Sequence, residues 1–346
     1  MKNKKLNKIK VFFCVLIIVF IVDVSIYFVI VIQDKIKEDL VIGHKHLLKS
    51  KEIYGEPEYN SEYITRINEI NLSHKGIKNK YQFVFIADLQ ASVIDENLED
   101  ERLKQSLIDR YQEFVIQNPN QVGQEEIFDE ILEYTNNMNP DALLLGGDII
   151  DCPAESNFEL LEKELNEKLK VRYLYTLGNH DWTFIWDYQS KETEEKYYPR
   201  FKEFMDDIQV SYLEYKDLII LSINDGKEQF EEKAIRKVKR VLEKKKPTIV
   251  MIHVPISTQK IAEEGIRIRD RVSAIGDYGI EPNENSQEIM NLILSDEYDV
   301  FYILAGHTHF EIKDNLNERI VEEVSAPAFQ GVVNVIKIDN QEVEEK

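Results

Sequence analysis

The chain has 346 residues, 43% hydrophobic and 10% aromatic, enough for one large α/β domain plus an accessory segment. Its formal charge of −21 argues against a nonspecific nucleic-acid binder, which needs a basic face, so no nucleic-acid-binding surface is expected. Two cysteines, Cys14 in an apolar run and Cys152 far from it, rule out a disulfide framework in the soluble part.

In chain order, Lys2, Lys4, Lys5, Lys8 and Lys10 precede Val11 to Ile32, an apolar run interrupted by Asp23 and Ser25. About 20 apolar residues span a bilayer. Each apolar side chain favours insertion by roughly 0.3–0.6 kcal/mol, against roughly 2.5–3.5 kcal/mol for the aspartate, so insertion wins. A cleavable signal would end in small residues, whereas this run ends VIVIQDK. The expectation is a cytoplasmic basic tail at 1–10 and a single-pass transmembrane signal-anchor helix at 11–32. A polar stalk at 33–60 and one folded domain at 61–346 follow. The lysines hold the N-terminus in the cytoplasm, so the domain is expected on the extracytoplasmic side of the cell membrane.

Within the domain, alternation over Tyr63–Leu72 predicts a half-buried strand, and the continuous apolar run Tyr81–Ala87 a buried one. Polar-faced helices are predicted over 96–116 and 124–138, ending at Asn139-Pro140. A buried strand (DALLLGG), a helix (FELLEKELNEKLK) and a strand (VRYLYTLG) follow, then a helical segment over 191–208. Short strands at VSYLEY and LIILSIN lead to a charged helix over 229–245 and a strand at PTIVMIHVP. Residues 256–284 look like a loop-rich insertion, followed by a helix at 285–295, the strand DVFYILAG and a strand-rich tail. Alternating β and α elements with a β-rich end indicate an α/β sandwich with mixed sheets.

Metal-binding side chains recur where these strands end: Asp88 after FVFIA, Asp148 after ALLLGG, Asn179-His180-Asp181 after LYTLG, His253 after IVMI, and His307-Thr308-His309 after FYILAG. In open α/β sheets the ligand crevice lies outside the carboxyl ends of the strands. Four of the seven histidines fall at these points. Taken singly, an aspartate at a strand end is usually a cap or turn residue; the joint pattern is what points to a metal site. Asp151 could serve the site or cap a helix. Cys152 is expected to be a small structural residue, and Trp182, Tyr188, Tyr197 and Tyr198 could line a pocket or fill a core. Gly43-His44-Lys45-His46 repeats the GHxH spelling but stands beside the anchor, away from the other motifs.

ADLQ, GGDIID, GNHDW, MIHVP and AGHTH, in that order over roughly residues 81–310, resemble the calcineurin-like metallophosphoesterase superfamily. The resemblance implies a four-layer αββα sandwich of two mixed sheets flanked by helices, and a site for two divalent metal ions. By motif match, Asp88 and Gln90 serve the first metal and Asp148 bridges both. Asn179, His253 and His307 serve the second, and His309 returns to the first. Two metals about 3.5–4 Å apart can clamp the attacking and leaving oxygens of an in-line displacement, with a metal-activated hydroxide as nucleophile. Glycines 146, 147, 178 and 306 are expected to let backbone approach the site closely. His180 is expected to face the phosphate and leaving oxygen, with Asp181 orienting it and favouring its protonated form.

The first motif departs from the D-x-H pattern, because Gln90 stands where a histidine is expected. An amide oxygen suits harder ions, so manganese is favoured, with iron or zinc as the alternatives. Such a D-x-Q motif, with a GDIID-like second motif, is similar to the manganese-dependent ADP-ribose/CDP-alcohol diphosphatase branch. The expected activity is a membrane-anchored, metal-dependent phosphoesterase acting on a phosphodiester, a diphosphate or a phosphomonoester. The alternative is a catalytically silent module of the same fold that binds a partner at the membrane.

Overall fold

A computed structural model describes residues 61–339. The basic tail, the anchor expected over 11–32, the stalk and Gly43-His44-Lys45-His46 lie outside the described residues. Among the described residues, no helix is long and apolar enough to cross a membrane.

Among the described residues, eleven strands form two mixed sheets. The first runs β1 (Arg66–Leu72), β11 (Val332–Ile338), β2 (Tyr81–Ile86), β3 (Ala142–Leu145) and β4 (Tyr173–Tyr175). The second runs β5 (Val210–Glu214), β6 (Ile219–Ile223), β7 (Thr248–Met251), β8 (Val300–Ala305), β10 (Val321–Val324) and β9 (Ile312–Asn315). In the first sheet only β11 and β2 pair antiparallel; in the second, β5 with β6 and β10 with β9 do so.

Period-2 alternation along β2 explains the layering. Phe83 and Phe85 join Leu144, Leu213, Ile220, Ile249, Met251 and Leu304 in a core drawn from both sheets. Val84 and Ile86 point the other way, against Ile127, Phe128, Ile131 and Leu132 of helix α2 (Gln124–Met138) and Phe158 and Leu161 of α3 (Glu155–Glu162). Helix α1 (Glu101–Gln117) is N-capped by Asp100, whose carboxylate accepts from the Arg102 and Leu103 amides. The second sheet carries α6 (Glu232–Leu242) against β5 and β6, with α8 (Glu284–Leu294) packed on α6. The short helices α4 (Asn179–Trp182) and α5 (Lys191–Tyr197) lie between β4 and β5.

One local expectation needs correction and two helices differ in detail. Residues 256–284 are not simply loops: they hold α7 (Gln259–Arg269), N-capped by Thr258. Its three isoleucines are outweighed by flanking charge, and Ile266 and Ile268 stay exposed, which hides the helix. The segment 191–208 turns from α-helix into a 3₁₀ turn (Tyr198–Glu203), where Pro199 near its start lacks an amide to donate. The predicted helix FELLEKELNEKLK starts at Glu155 and loosens into a π-helical turn over Lys163–Lys168.

A buried carboxylate in the second sheet gives a testable consequence. Glu322 on β10 accepts the Ile256 amide at 2.8 Å, and its Oε2 has no partner. Burial pushes its pKa up to about 8, against the Ile256 amide, with Asp225 and Asp314 adding to the rise. The folded chain therefore keeps a proton that the unfolded chain releases near the ordinary glutamate value of about 4.3. Stability falls as pH climbs from that value to about 8 and levels off above it. Glu322→Gln removes the penalty, so at pH 7–8 the variant is expected to be more stable than the parent by about 2–3 kcal/mol, with a smaller gain at pH 5. Chemical denaturation at both pH values checks this, and an equal difference at the two would contradict it.

Candidate metal centre

All five motifs meet at one end of the sheets. Residues following β2 supply Asp88 and Gln90, and those following β3 supply Asp148. Those following β4 supply Asn179 and His180, β7 leads to His253, and β8 leads to His307 and His309. Asp88, Gln90, Asp148, Asn179 and His253 are buried.

The donor atoms fall into two groups that share one carboxylate. Asp88, Asp148 and His309 form the first, and Asp148, His253 and His307 the second, with the ligand atoms of each within 4.8 Å of one another. Asp148 is thus the shared member, as its motif implies. Within these groups His309 Nε2 lies 3.4 Å from Asp88 Oδ1, His253 Nε2 3.2 Å from Asp148 Oδ2, and His307 Nδ1 3.2 Å from His253 Nε2. Ligand bonds of about 2.1 Å give donor–donor edges of roughly 3.0 Å at right angles and roughly 3.4 Å at tetrahedral angles. The observed spacings match the edges that two small coordination shells would have.

Polar atoms without partners mark the same place. Asp88 Oδ1, Gln90 Oε1, Asn179 Oδ1 and His307 Nε2 are buried and make no hydrogen bond. Buried polar atoms are nearly always paired, so a group of orphans among candidate ligands fits a bound cation. His253 Nδ1 lies 2.9 Å from the Gly146 carbonyl, and donating there leaves its Nε2 lone pair facing the site. Gln90 sits in the first group, with Nε2 2.8 Å from Asp148 Oδ2 and 3.5 Å from His309 Nε2. A half-turn of the amide exchanges nitrogen for oxygen at that spot.

Backbone conformation is unusual at five of these residues. Asp88, Gln90, Asp148, His307 and His309 all have positive φ, between 54° and 70°. For residues with a Cβ this conformation costs roughly 1–2 kcal/mol each. Such strain concentrates at functional sites, where surrounding structure holds it in place. Here the first two motif loops are zipped together. The Asp88 amide donates to the Gly147 carbonyl at 3.0 Å, Gln90 to Asp148 at 2.9 Å and Ala91 to Ile149 at 3.0 Å. The glycines behave as expected at two positions. A Cβ on Gly147, at φ +91°, would stand 2.4 Å from His253 Nδ1, and one on Gly178 would stand 2.0 Å from Asp148 Oδ1.

The role expected of Asp181 is corrected. Its carboxylate makes no contact with the His180 ring; it accepts the backbone amides of Asp148, Ile149, Ile150 and Gly178 and the Tyr175 hydroxyl, all within 3.1 Å. Asp181 therefore positions the Asp148 loop. Burial and then Asp148 push its pKa up to about 7, against the Gly178 amide and the Tyr175 hydroxyl. His180 is held instead by Asp151, with Nδ1 3.1 Å from Asp151 Oδ1. Asp151 is in turn clamped by Arg110 of α1, whose Nε and Nη2 reach the carboxylate at 2.6–3.0 Å. Asp151 is not a helix cap, since Ala154 occupies that position of α3.

The charges are arranged to favour a cation. Burial works to lower the His180 pKa, but Asp148 and Asp151 outweigh it and raise it to about 9. Burial also opposes His253, which Asp148 lifts to about 10. Burial, then the charge of His253, hold His307 well below the usual imidazole range, in the neutral form that ligates.

Asp225 lies outside the five sequence motifs. It is fully buried after β6, and its two oxygens accept the His253 and Val254 amides at 2.8 and 3.0 Å. Its position at a strand end before Gly226 was the available signal. Cys152 packs with Leu107, Ala154 and Phe184, and burial pushes its thiol far above the ordinary range. Trp182 and Tyr198 stack edge-to-face inside the core, while Tyr188 is exposed and donates to Glu228 at 2.8 Å.

The calcineurin-like phosphoesterase family model matches residues 81–311. A search of curated proteins finds no match. Similar solved structures include a dimetal phosphatase from Danio rerio, at 13% identity over 72% of this chain and 88% of that chain, with a TM-score of 0.47. A purple acid phosphatase from yellow lupin seeds matches at 12% identity over 75% and 45%, with a TM-score of 0.43. The phosphopantetheinyl hydrolase of Mycobacterium tuberculosis matches at 11% identity over 72% and 90%, with a TM-score of 0.40. The family model alone spans more than half of the chain. The chain belongs to the calcineurin-like phosphoesterase family and is a metal-dependent hydrolase of phosphate esters.

Proposed function

We propose that the protein is a membrane-anchored phosphoesterase with a dinuclear metal centre, working on the extracytoplasmic side of the cell membrane. The observation that carries the metal assignment is the pair of donor groups sharing Asp148. Asp88, Gln90, Asp148 and His309 would hold one divalent ion, and Asp148, Asn179, His253 and His307 the other. Bound there, the pair supplies a lowered water pKa and a clamp on the phosphoryl oxygens. His180 supplies a proton or hydrogen bond from Nε2 to an oxygen of the substrate, since Asp151 fixes its Nδ1 and its side chain is 22% exposed. Arg110 keeps Asp151 ionised and aimed. The substrate is a phosphodiester, diphosphate or phosphomonoester, and the basic N-terminal segment with its apolar run supports the anchoring.

The test uses the full chain in mild detergent with bis-p-nitrophenyl phosphate and each of Mn²⁺, Mg²⁺, Zn²⁺ and Fe²⁺. Turnover is expected with Mn²⁺ above the others. Gln90→His is expected to retain activity within about tenfold while shifting preference toward zinc or iron, because imidazole replaces an amide oxygen. No turnover with any ion would overturn the proposal; an unchanged preference in Gln90→His would overturn the manganese assignment.

A further inference from the structure

We propose that Arg269 forms a subsite for a second, non-reacting phosphate, making diphosphates the substrate class of this site. The inference rests on the phosphoesterase reading above. It starts from α7, whose last turn carries Arg267 and Arg269. The helix is fastened to the sheet: Thr258 Oγ1 donates to Asp314 at 2.7 Å, and Lys260 Nζ donates to the Lys313 carbonyl at 2.6 Å. Arg267 pairs with Glu264 of its own helix, with Nε 2.8 Å from Oε2. Arg269 has no such partner: among the described residues no carboxylate lies within ion-pair distance of it. Its Nη1 instead lies 3.4 Å from His309 Nδ1, on the ring whose Nε2 belongs to the first donor group.

With His309 ligating through Nε2, that contact would be lost. A neutral imidazole that ligates through Nε2 carries its proton on Nδ1, which then donates and can no longer accept from a guanidinium. Arg269 is thus left with a full charge and free donors at the rim of the site. Partial burial, then Arg271, lower its pKa, while Asp88 and Glu113 pull the other way. The nearby Arg110 is already committed to Asp151 and Glu113. In a chain of net charge −21, an unpaired arginine beside a phosphate-hydrolysing centre is suited to an anion, and the planar fork binds phosphate oxygens in pairs. A cation at a helix C-terminus also interacts favourably with the last carbonyls, a role that would leave ligand preference untouched.

The test is calorimetric binding of inorganic pyrophosphate and inorganic phosphate to the manganese-loaded full chain in detergent, with free Mn²⁺ buffered. Pyrophosphate is expected to bind at least about tenfold more tightly than phosphate. Arg269→Ala is expected to reduce that ratio to within about threefold, with phosphate affinity and elemental metal content unchanged, and Arg269→Lys to restore only part of it. Equal affinities in the parent, an unaltered ratio in Arg269→Ala, or equal weakening of both ligands would overturn the subsite. Failure of the parent to hydrolyse bis-p-nitrophenyl phosphate would count against the phosphoesterase reading, and these binding data would still be readable.

Discussion

Asp148→Ala is expected to lower phosphate-ester hydrolysis by roughly 10³-fold or more, about 4 kcal/mol of barrier. The reason is that Asp148 serves both donor groups at once. Its Oδ2 lies 3.2 Å from His253 Nε2 and 2.8 Å from the Gln90 amide, and its Oδ1 accepts the His180 backbone amide at 2.8 Å. Burial works against its charge, yet His253 and His180 hold its carboxyl far below the usual range, so it is an anion at working pH. Removing it deprives each site of an anionic ligand and lets the His180 loop drift. Asp148→Asn keeps the shape and loses the charge, so it should fail nearly as badly. Steady-state kinetics beside far-ultraviolet circular dichroism separates lost chemistry from lost fold. Activity within tenfold of the parent in either variant would contradict the shared-ligand role.

Asp181→Ala is expected to act on stability, costing about 3–5 kcal/mol. Four backbone amides and one hydroxyl converge on this carboxylate, three of the amides from the consecutive residues Asp148, Ile149 and Ile150. Alanine leaves every one of those donors buried without an acceptor. For a folded domain of this size the loss corresponds to a melting point lowered by about 5–9 °C. Tyr175→Phe removes a single donor and leaves the other four satisfied, so it should cost only about 1 kcal/mol. Thermal unfolding of the two variants together checks the argument. A cost below 1 kcal/mol for Asp181→Ala would mean that the Asp148 loop is held by other contacts.

Much of this site was legible because the chemistry falls where the strands end. Apolar runs such as YQFVFI and VFYILA announce buried strands, and polar ligand residues after them need no long-range information to be noticed. The partners of those residues were less legible. Asp181 is adjacent to His180 in sequence, which suggested that they touch. The helical turn of Asn179–Trp182 instead turns the carboxylate back onto the Asp148 loop. Asp151 reaches His180 from 29 positions away and is itself held by Arg110, 41 positions before it, and only the packing of α1 brings the guanidinium there. Asp225 and Glu322 were hidden for the same reason: each is an ordinary acidic letter until burial shows what it holds. The left-handed backbone of Asp88, Gln90, Asp148, His307 and His309 carries no glycine signature, because tertiary contacts impose it.

The central claim is that two donor groups sharing Asp148 hold two metal ions. It is tested most directly by counting the ions bound per chain by elemental analysis after loading with Mn²⁺ and desalting. About two per parent chain, and fewer than one in Asp148→Ala, is the expected result. None in the parent, even after loading in excess Mn²⁺, would contradict it and leave a fold that binds without catalysing.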